Sequence, residues 1–264
     1  LTSSGGKDFV ALCRHFAQAG YRFGALEIDA ARFTPQSRPR VFVIAVRDDL
    51  PRPVSLEEEI GPIAIPSVFH TRSVRAAFSR LPPKLRSSWC WWRLPEPAAR
   101  NMALCDIVEH RQTAVPWHRP AETKRLLSLM TERHREKVRD AEASGRSEVG
   151  AVYRRMRVED GVRVQRAEVR FDGLAGCVRT PGGGSSKQFL LFVKRNDILS
   201  RPMTARESAR LMGLPDDYVL PVRENAALKV TGDGVVAPVV AWLAEHVFEP
   251  QLAAADAGDL KRAG

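Results

Sequence analysis

Gln36, Arg38 and Arg40 stand at alternate positions and run directly into Val41-Phe42-Val43-Ile44-Ala45-Val46, a β-branched apolar run. Side chains at i, i+2 and i+4 of an extended segment share one face. The spacing therefore predicts that one amide and two guanidinium forks address a single polar, planar target from the edge of a buried sheet. Forked donors suit phosphates and the edges of bases. Charges that merely stay wet at the start of a strand are the bland alternative for the same pattern.

Two glycine-rich segments also bear on chemistry. Gly232-Asp233-Gly234-Val235 precedes an apolar stretch, 239–248, that reads as a helix. A Gly-x-Gly before a helix can present backbone N–H groups to an anion or carboxylate, and a simple turn is the alternative. Arg179-Thr180-Pro181-Gly182-Gly183-Gly184-Ser185-Ser186 is not a phosphate loop, because it lacks the Gly-Lys-Ser/Thr ending. It reads as a flexible turn whose main chain can approach a ligand closely. Cys13, Cys90, Cys105 and Cys177 form no CxxC pair, which argues against zinc or dithiol chemistry. Each sits among apolar neighbours and is expected to be a reduced, buried thiol of a cytoplasmic protein.

The elements that would position these residues follow from periodicity. Phe9, Leu12, Cys13 and Phe16 form a helical stripe over 8–19, with Asp8 at its start and Gly20 at its end. Strands are expected at 21–29 and 41–47 around a turn at 30–35, giving an α/β fragment with a buried second strand. Residues 48–120 are proline-rich and hold four of the five tryptophans. Trp89, Trp91 and Trp92 predict a local aromatic core, with a stacking platform for bases as the sharper alternative. One charged helix is expected over 121–143, then strands at 149–156, 166–171 and 189–193. Thr204 to Glu207 has capping-box form, and Gly213 with Pro215 closes the helix that follows. Residues 250–264 read as a frayed tail. No repeat period is apparent. Compact outer segments enclosing a middle insertion predict one α/β domain interrupted by a smaller one.

The 264 residues suffice for one large or two modest domains, and a 44% apolar, 27% charged composition is that of an ordinary globular chain. No apolar run approaches the roughly 20 residues of a membrane span. The N-terminal residues lack the signal-peptide pattern and an initiator methionine, so the left end is expected to be a cut. Lys plus Arg outnumber Asp plus Glu by 41 to 31, a net charge of +10 carried mostly by arginine. That balance favours a nucleic-acid partner.

Four blocks in fixed order give a family resemblance. They are 5–9 leading to Gly20-Tyr21; Pro35-Gln36-Ser37-Arg38-Pro39-Arg40; Arg201 with Thr204, Arg206-Glu207 and Arg210-Leu211-Met212-Gly213; and Thr231-Gly232-Asp233-Gly234-Val235 with Pro238-Val239. In this order the chain resembles the C-terminal half of a DNA (cytosine-5) methyltransferase of the restriction-modification type. The resemblance implies a Rossmann-like methyltransferase domain interrupted by a smaller, irregular target-recognition domain. It places the distal part of the catalytic domain at 1–49, recognition at 50–193, a return to the catalytic domain at 194–250 and a flexible tail at 251–264.

Such an enzyme flips cytosine out of double-stranded DNA and adds a cysteine thiolate to carbon 6. A glutamate engages ring nitrogen 3, and carbon 5 takes the methyl of S-adenosyl-L-methionine. By resemblance, Arg40 would bond the carbonyl oxygen of the flipped base, Arg38 would support the pocket or a phosphate, and Gln36 would hold the loop. Gly232, Asp233, Gly234 and Val235 would lie beside the cofactor. Arg179, Thr180, Gly182, Gly183 and Ser185 would face DNA. Arg201 and Arg206 would brace the recognition domain or touch the DNA backbone, with an ion pair to Glu207 as the alternative for them. The family's Pro-Cys nucleophile, Glu-Asn-Val segment and Phe-x-Gly-x-Gly cofactor loop are not in this sequence. A partner N-terminal half carrying them is therefore expected, and the chain alone is expected to be inactive; a non-catalytic DNA-binding remnant, or the recognition subunit of a split methyltransferase, is the alternative. Asp233 stands where the family commonly has Asn. An ionised aspartate only accepts hydrogen bonds, so its contact near the cofactor must differ.

Overall fold

The computed structural model describes residues 1–51, 67–180, 182, 187–195 and 197–263, with side chains through residue 257. The chain forms two compact units. Unit 1 comprises Leu1–Asp29, Pro39–Ala98 and Val240–Gly264, and unit 2 comprises Ala30–Arg38 and Ala99–Val239. The boundaries expected near residues 49 and 193 are not where the packing divides. Segment 67–98 packs within unit 1, and 194–239 packs within unit 2.

Unit 1 opens with α1 (Lys7–Gln18), which ends where Gly20 takes a φ of 74°. Strands β1 (Tyr21–Asp29) and β2 (Pro39–Arg47) pair antiparallel from Tyr21↔Arg47 to Asp29↔Pro39. The segment after residue 66 supplies α2 (Arg72–Ser79) and α3 (Pro83–Arg86). Phe9, Cys13, Phe23, Ala25, Val74, Ala77, Leu81, Leu85 and Trp89 form the core. The tryptophans are packed, not offered to bases: Trp92 is fully buried and Trp89 meets Phe9, Phe23, Phe78 and Trp91. A methyl on Gly24 would stand 2.1 Å from the Cys90 carbonyl oxygen, so only glycine admits that approach. The buried strand is β1. β2 is apolar from Val41 to Val46, yet only Ile44 and Val46 are buried and Val41 is exposed. Among the described residues β1 is its sole strand neighbour, so the burial expected for β2 is incomplete.

Unit 2 holds α4 (Leu104–Ile107), α5 (Pro120–Ser128), α6 (Glu132–Ala143), strands β3 (Ser147–Glu159), β4 (Val162–Arg170), β5 (Gln188–Lys194) and β6 (Asp197–Pro202), then α7 (Ala205–Leu211) and α8 (Glu224–Asp233). The antiparallel sheet runs in the order β4-β3-β5-β6. One face packs Val152, Ala167, Val169 and Leu191 on Leu126, Met130 and Val138 of the α5–α6 region. The other packs Ala151 and Leu190 on Leu104, Ile107, Met203 and Leu211. The single helix expected over 121–143 is broken because Met130 bridges to Ala167, and the Ala167 N–H donates to Leu129 O at 3.0 Å. Strand β6 was not expected from the sequence.

The C-terminal run continues as α9 (Ala237–Leu243), a π turn (Ala244–Phe248) and α10 (Glu249–Ala263). The frayed tail expected from residue 250 is thus helical to Ala263. Its start is pinned by buried Gln251, which accepts from the Arg22 guanidinium and donates to Pro51 O. The run Glu224–Ala257 is long and apolar enough by composition to cross a membrane. It is interrupted between Asp233 and Ala237, and Ala227, Leu228, Trp242, Leu243 and Val247 are buried in the manner of core helices.

Candidate functional site

Gln36 and Arg38 are locked into unit 2. Gln36 is fully buried; its amide accepts from the Val178 N–H and donates to Leu211 O, both at 2.9 Å. Around it the chain makes a parallel bridge: Ser37 N–H donates to Ala175 O and Ala175 N–H to Pro35 O. The Arg38 fork donates to Val178 O, to Gly232 O at 3.2 Å and to Gly234 O at 3.0 Å, and Nη1 lies 3.3 Å from Cys177 Sγ. Gly232 and Gly234 lie at the C-terminal end of α8, where a cation is favoured by exposed carbonyls and the helix dipole. A methyl on Gly232 would meet Thr180 N at 2.3 Å, so glycine is what lets the 178–180 segment reach the helix. Gly213, at φ 72°, makes a second close approach: its methyl would meet Pro238 Cδ at 2.2 Å.

This geometry corrects the expectation for Gly232-Asp233-Gly234. The segment does precede a helix, α9 from Ala237, but it is itself the C-terminal end of α8. It presents carbonyl acceptors to Arg38 rather than N–H donors to an anion. The Gly234 N–H is itself spent on Val230 O, and Asp233 accepts from the Thr180 hydroxyl. Val235 adds an exposed apolar side chain.

Arg40 belongs to unit 1. It is exposed in β2 and its guanidinium donates to Pro39 O at 2.9 Å. The structure therefore brings Gln36 and Arg38 together and assigns Arg40 to the other unit. The strand that Arg40 shares starts only at Pro39, and Gln36 pairs with a different segment.

Arg201 is fully buried, with its fork on fully buried Glu207 and flanked by the rings of Trp117 and Phe192. Glu207 also accepts from the N–H groups of Thr204 and Glu109 at 2.8 Å. The expected capping box is formed, since Thr204 accepts from the Glu207 N–H at 3.0 Å. The ion-pair alternative describes Arg201; buried this way, it presents no surface to a phosphate. Arg206 is half-exposed and donates to Pro215 O and Tyr218 O, which holds the turn after α7.

Arg179 and Gly182 are exposed and Thr180 is half-buried. Gly183 and Ser185 lie outside the described residues. Arg179 and Lys187 line a small open depression together with Val178, Met203 and Leu228. Two features escaped the sequence. Cys177 is only half-buried and touches Arg38. Cys105 is exposed, not buried as expected. Burial pushes the Cys13 thiol up to about 12, and burial with the Asp106 carboxylate raises Cys105, so neither is a thiolate near neutral pH. The second missed feature is the arginine-rich β3–β4 hairpin. Its signal was present: alternating residues on either side of Asp160-Gly161, a two-residue turn signature.

A family model for C-5 cytosine-specific DNA methylase matches residues 1–249, and the chain belongs to that family. It is 30% identical over 91 residues to the Type II methyltransferase M.HpaII of Haemophilus parainfluenzae, covering 30% of this chain and 25% of that protein. It is 40% identical over 65 residues to M.BanI of Aneurinibacillus aneurinilyticus, covering 25% and 15%. It is also 40% identical over 48 residues to M.SsoII of Shigella sonnei, covering 18% and 13%. The chain thus spans a quarter or less of the length of these relatives.

Proposed function

We propose that this chain is the DNA-recognising part of a cytosine-5 methyltransferase and forms one wall of its flipped-cytosine pocket. The Pro-Cys nucleophile, the Glu-Asn-Val segment and the main cofactor loop come from another polypeptide segment that docks on it. Arg40 carries the reading. It stands exposed at the mouth of an apolar strand, inside a block that matches the family's motif, just after two residues fixed by internal hydrogen bonds. A fixed cation there stabilises negative charge that develops on the base's carbonyl oxygen. Arg38 acts beside it in sequence as a positioning residue for the Gly232–Gly234 helix end. The half-exposed apolar face of β2 supports the docking partner, because a further strand or apolar layer would cover it. The family's methyl donor is S-adenosylmethionine, which supplies an electrophilic methyl group; its main binding groups belong to the docking segment. The same reading places the protein with DNA in the cytoplasm.

The test is methyl transfer from labelled S-adenosylmethionine to duplex DNA. The purified chain is expected to be inactive alone and active when mixed with a segment bearing the three missing motifs. Transfer by the chain alone would overturn the reading. In the mixture, Arg40→Ala is expected to lower turnover by about 10²–10³-fold with little change in duplex affinity. An equal loss in affinity and in kcat/KM would assign Arg40 to phosphate binding instead.

A further inference from the structure

The β3–β4 hairpin outgrows its sheet. Pairing of β3 with β5 ends at Tyr153↔Gln188, whereas pairing with β4 continues through six more residue pairs, Arg154↔Ala167 to Glu159↔Val162. At about 3.4 Å per residue, these pairs make a two-stranded ribbon about 20 Å long. Gly150, Ala151 and Val152 are buried, while Arg155, Met156, Arg157 and Val158 are all exposed. Asp160 and Gly161 close the ribbon with φ of 49° and 79°, the positive pair that matches the right-handed twist of a tight hairpin.

Only part of the ribbon's charge is spent on its own stability. Arg155 stands directly opposite Arg166, and like charges across a strand pair are unfavourable. Residues 154–166 carry five arginines against two acids. Glu168 and Glu159 hold the forks of Arg157 and Arg166, and Arg155 lies over the Tyr153 ring at 4.6 Å. Arg163 makes no ion pair among the described residues. At the tip, Val158 and Val162 are 71% and 63% exposed. A two-stranded ribbon gains little from such side chains in water.

We infer that this ribbon enters the major groove of double-stranded DNA and reads part of the target site. The inference rests on the DNA-methyltransferase reading above and adds which element makes the contact. A major groove about 12 Å wide admits a two-stranded β-ribbon. Arginine forks there pair with guanine edges or phosphates, and exposed valines suit the methyl group of thymine. The charge excess selects a polyanion over a protein partner.

Binding of the full chain to a labelled random-sequence duplex, by fluorescence anisotropy at several salt concentrations, tests this. The wild type is expected to bind with a salt-dependent affinity. Arg155→Ala with Arg163→Ala is expected to bind at least tenfold more weakly and with a smaller salt slope, while the thermal midpoint is unchanged. Arg155→Lys with Arg163→Lys restores the slope. If the wild type binds and the alanine variant binds equally well, the ribbon inference fails and the methyltransferase reading stands. If the wild type binds no duplex DNA at any salt, both fail. A ribbon variant that keeps DNA affinity but loses self-association or the docking segment shows a protein contact and also overturns the inference.

Discussion

Two hairpins among the described residues, β1–β2 and β3–β4, leave opposite chemistries uncovered. β1–β2 belongs to unit 1, and the surplus it exposes is apolar: Val41, Phe42 and Val43 are exposed or half-buried on a strand with one neighbour among the described residues. β3–β4 belongs to unit 2, and the surplus it exposes is mainly guanidinium. The hydrophobic effect drives the first surface toward another packed protein layer. Counterion release drives the second toward a phosphate backbone. Exposure alone therefore does not define a site; the side chains exposed decide whether the missing neighbour is protein or nucleic acid.

The sharpest way to separate the arginine ribbon from the sheet beneath it is Glu207→Ala. The variant leaves Arg201 as a buried charge without its carboxylate and removes the acceptor for two backbone N–H groups. Breaking a buried pair in this way costs about 3–5 kcal/mol. The urea midpoint is expected to fall, and DNA binding to be lost through unfolding. The ribbon variants lose binding while folded. Arg201→Met combined with Glu207→Leu should recover much of the stability, because it removes both charges together. If Glu207→Ala left the midpoint unchanged, the brace would not be what supports the sheet.

The first hairpin has its own point of failure, at His70. This residue is buried, stacks edge-on with Trp91 at 5.0 Å and is flanked by two contacts to β1: Phe69 O accepts from the Glu27 N–H, and the Thr71 hydroxyl donates to the Glu27 carboxylate. Burial, and secondarily Arg75, lowers its pKa from 6.5 to about 4. The folded state thus favours neutral His70, while the unfolded chain protonates near 6.5. The stabilisation is present above pH 6.5 and is lost as pH falls toward 4, by up to about 3 kcal/mol. Urea titrations at pH 7.5 and 5, read by tryptophan fluorescence, should show a smaller acid loss for His70→Gln than for the wild type. Identical losses would place the acid sensitivity elsewhere.

These two regions were legible to different degrees, for physical reasons. The first hairpin was predicted within two residues at each end, because an apolar run bounded by Gly20 and Pro39 has few alternatives. The ribbon's strands were expected shorter, the first ending at 156 and the second starting at 166, where observed β3 runs to Glu159 and β4 starts at Val162. Only the pairing with 162–167 shows that they continue. The α5–α6 break, the helical tail and the helical ending at Gly232 depend on partners far away in sequence: Ala167, Arg22 and Arg38. In the candidate site, the order of the motif blocks was visible. That Gln36 and Arg38 would spend their polar groups on residues 178, 211, 232 and 234 was not, because spacing says nothing about contacts more than 100 residues apart.

The smallest effect on the protein itself discriminates the hairpins most directly. Val41 is 40% exposed on β2, so Val41→Lys removes little buried area. The change in stability should stay within about 0.5 kcal/mol, as for an ordinary surface substitution. Yet a lysine on that strand puts a desolvated charge where the docking segment would pack, which weakens association. Pull-down of the segment by wild-type and Val41→Lys chains measures this, with duplex binding as the control. Loss of the segment with duplex affinity retained would assign β2 to protein and leave the ribbon to DNA. Retention of both would mean that β2 is not the docking surface.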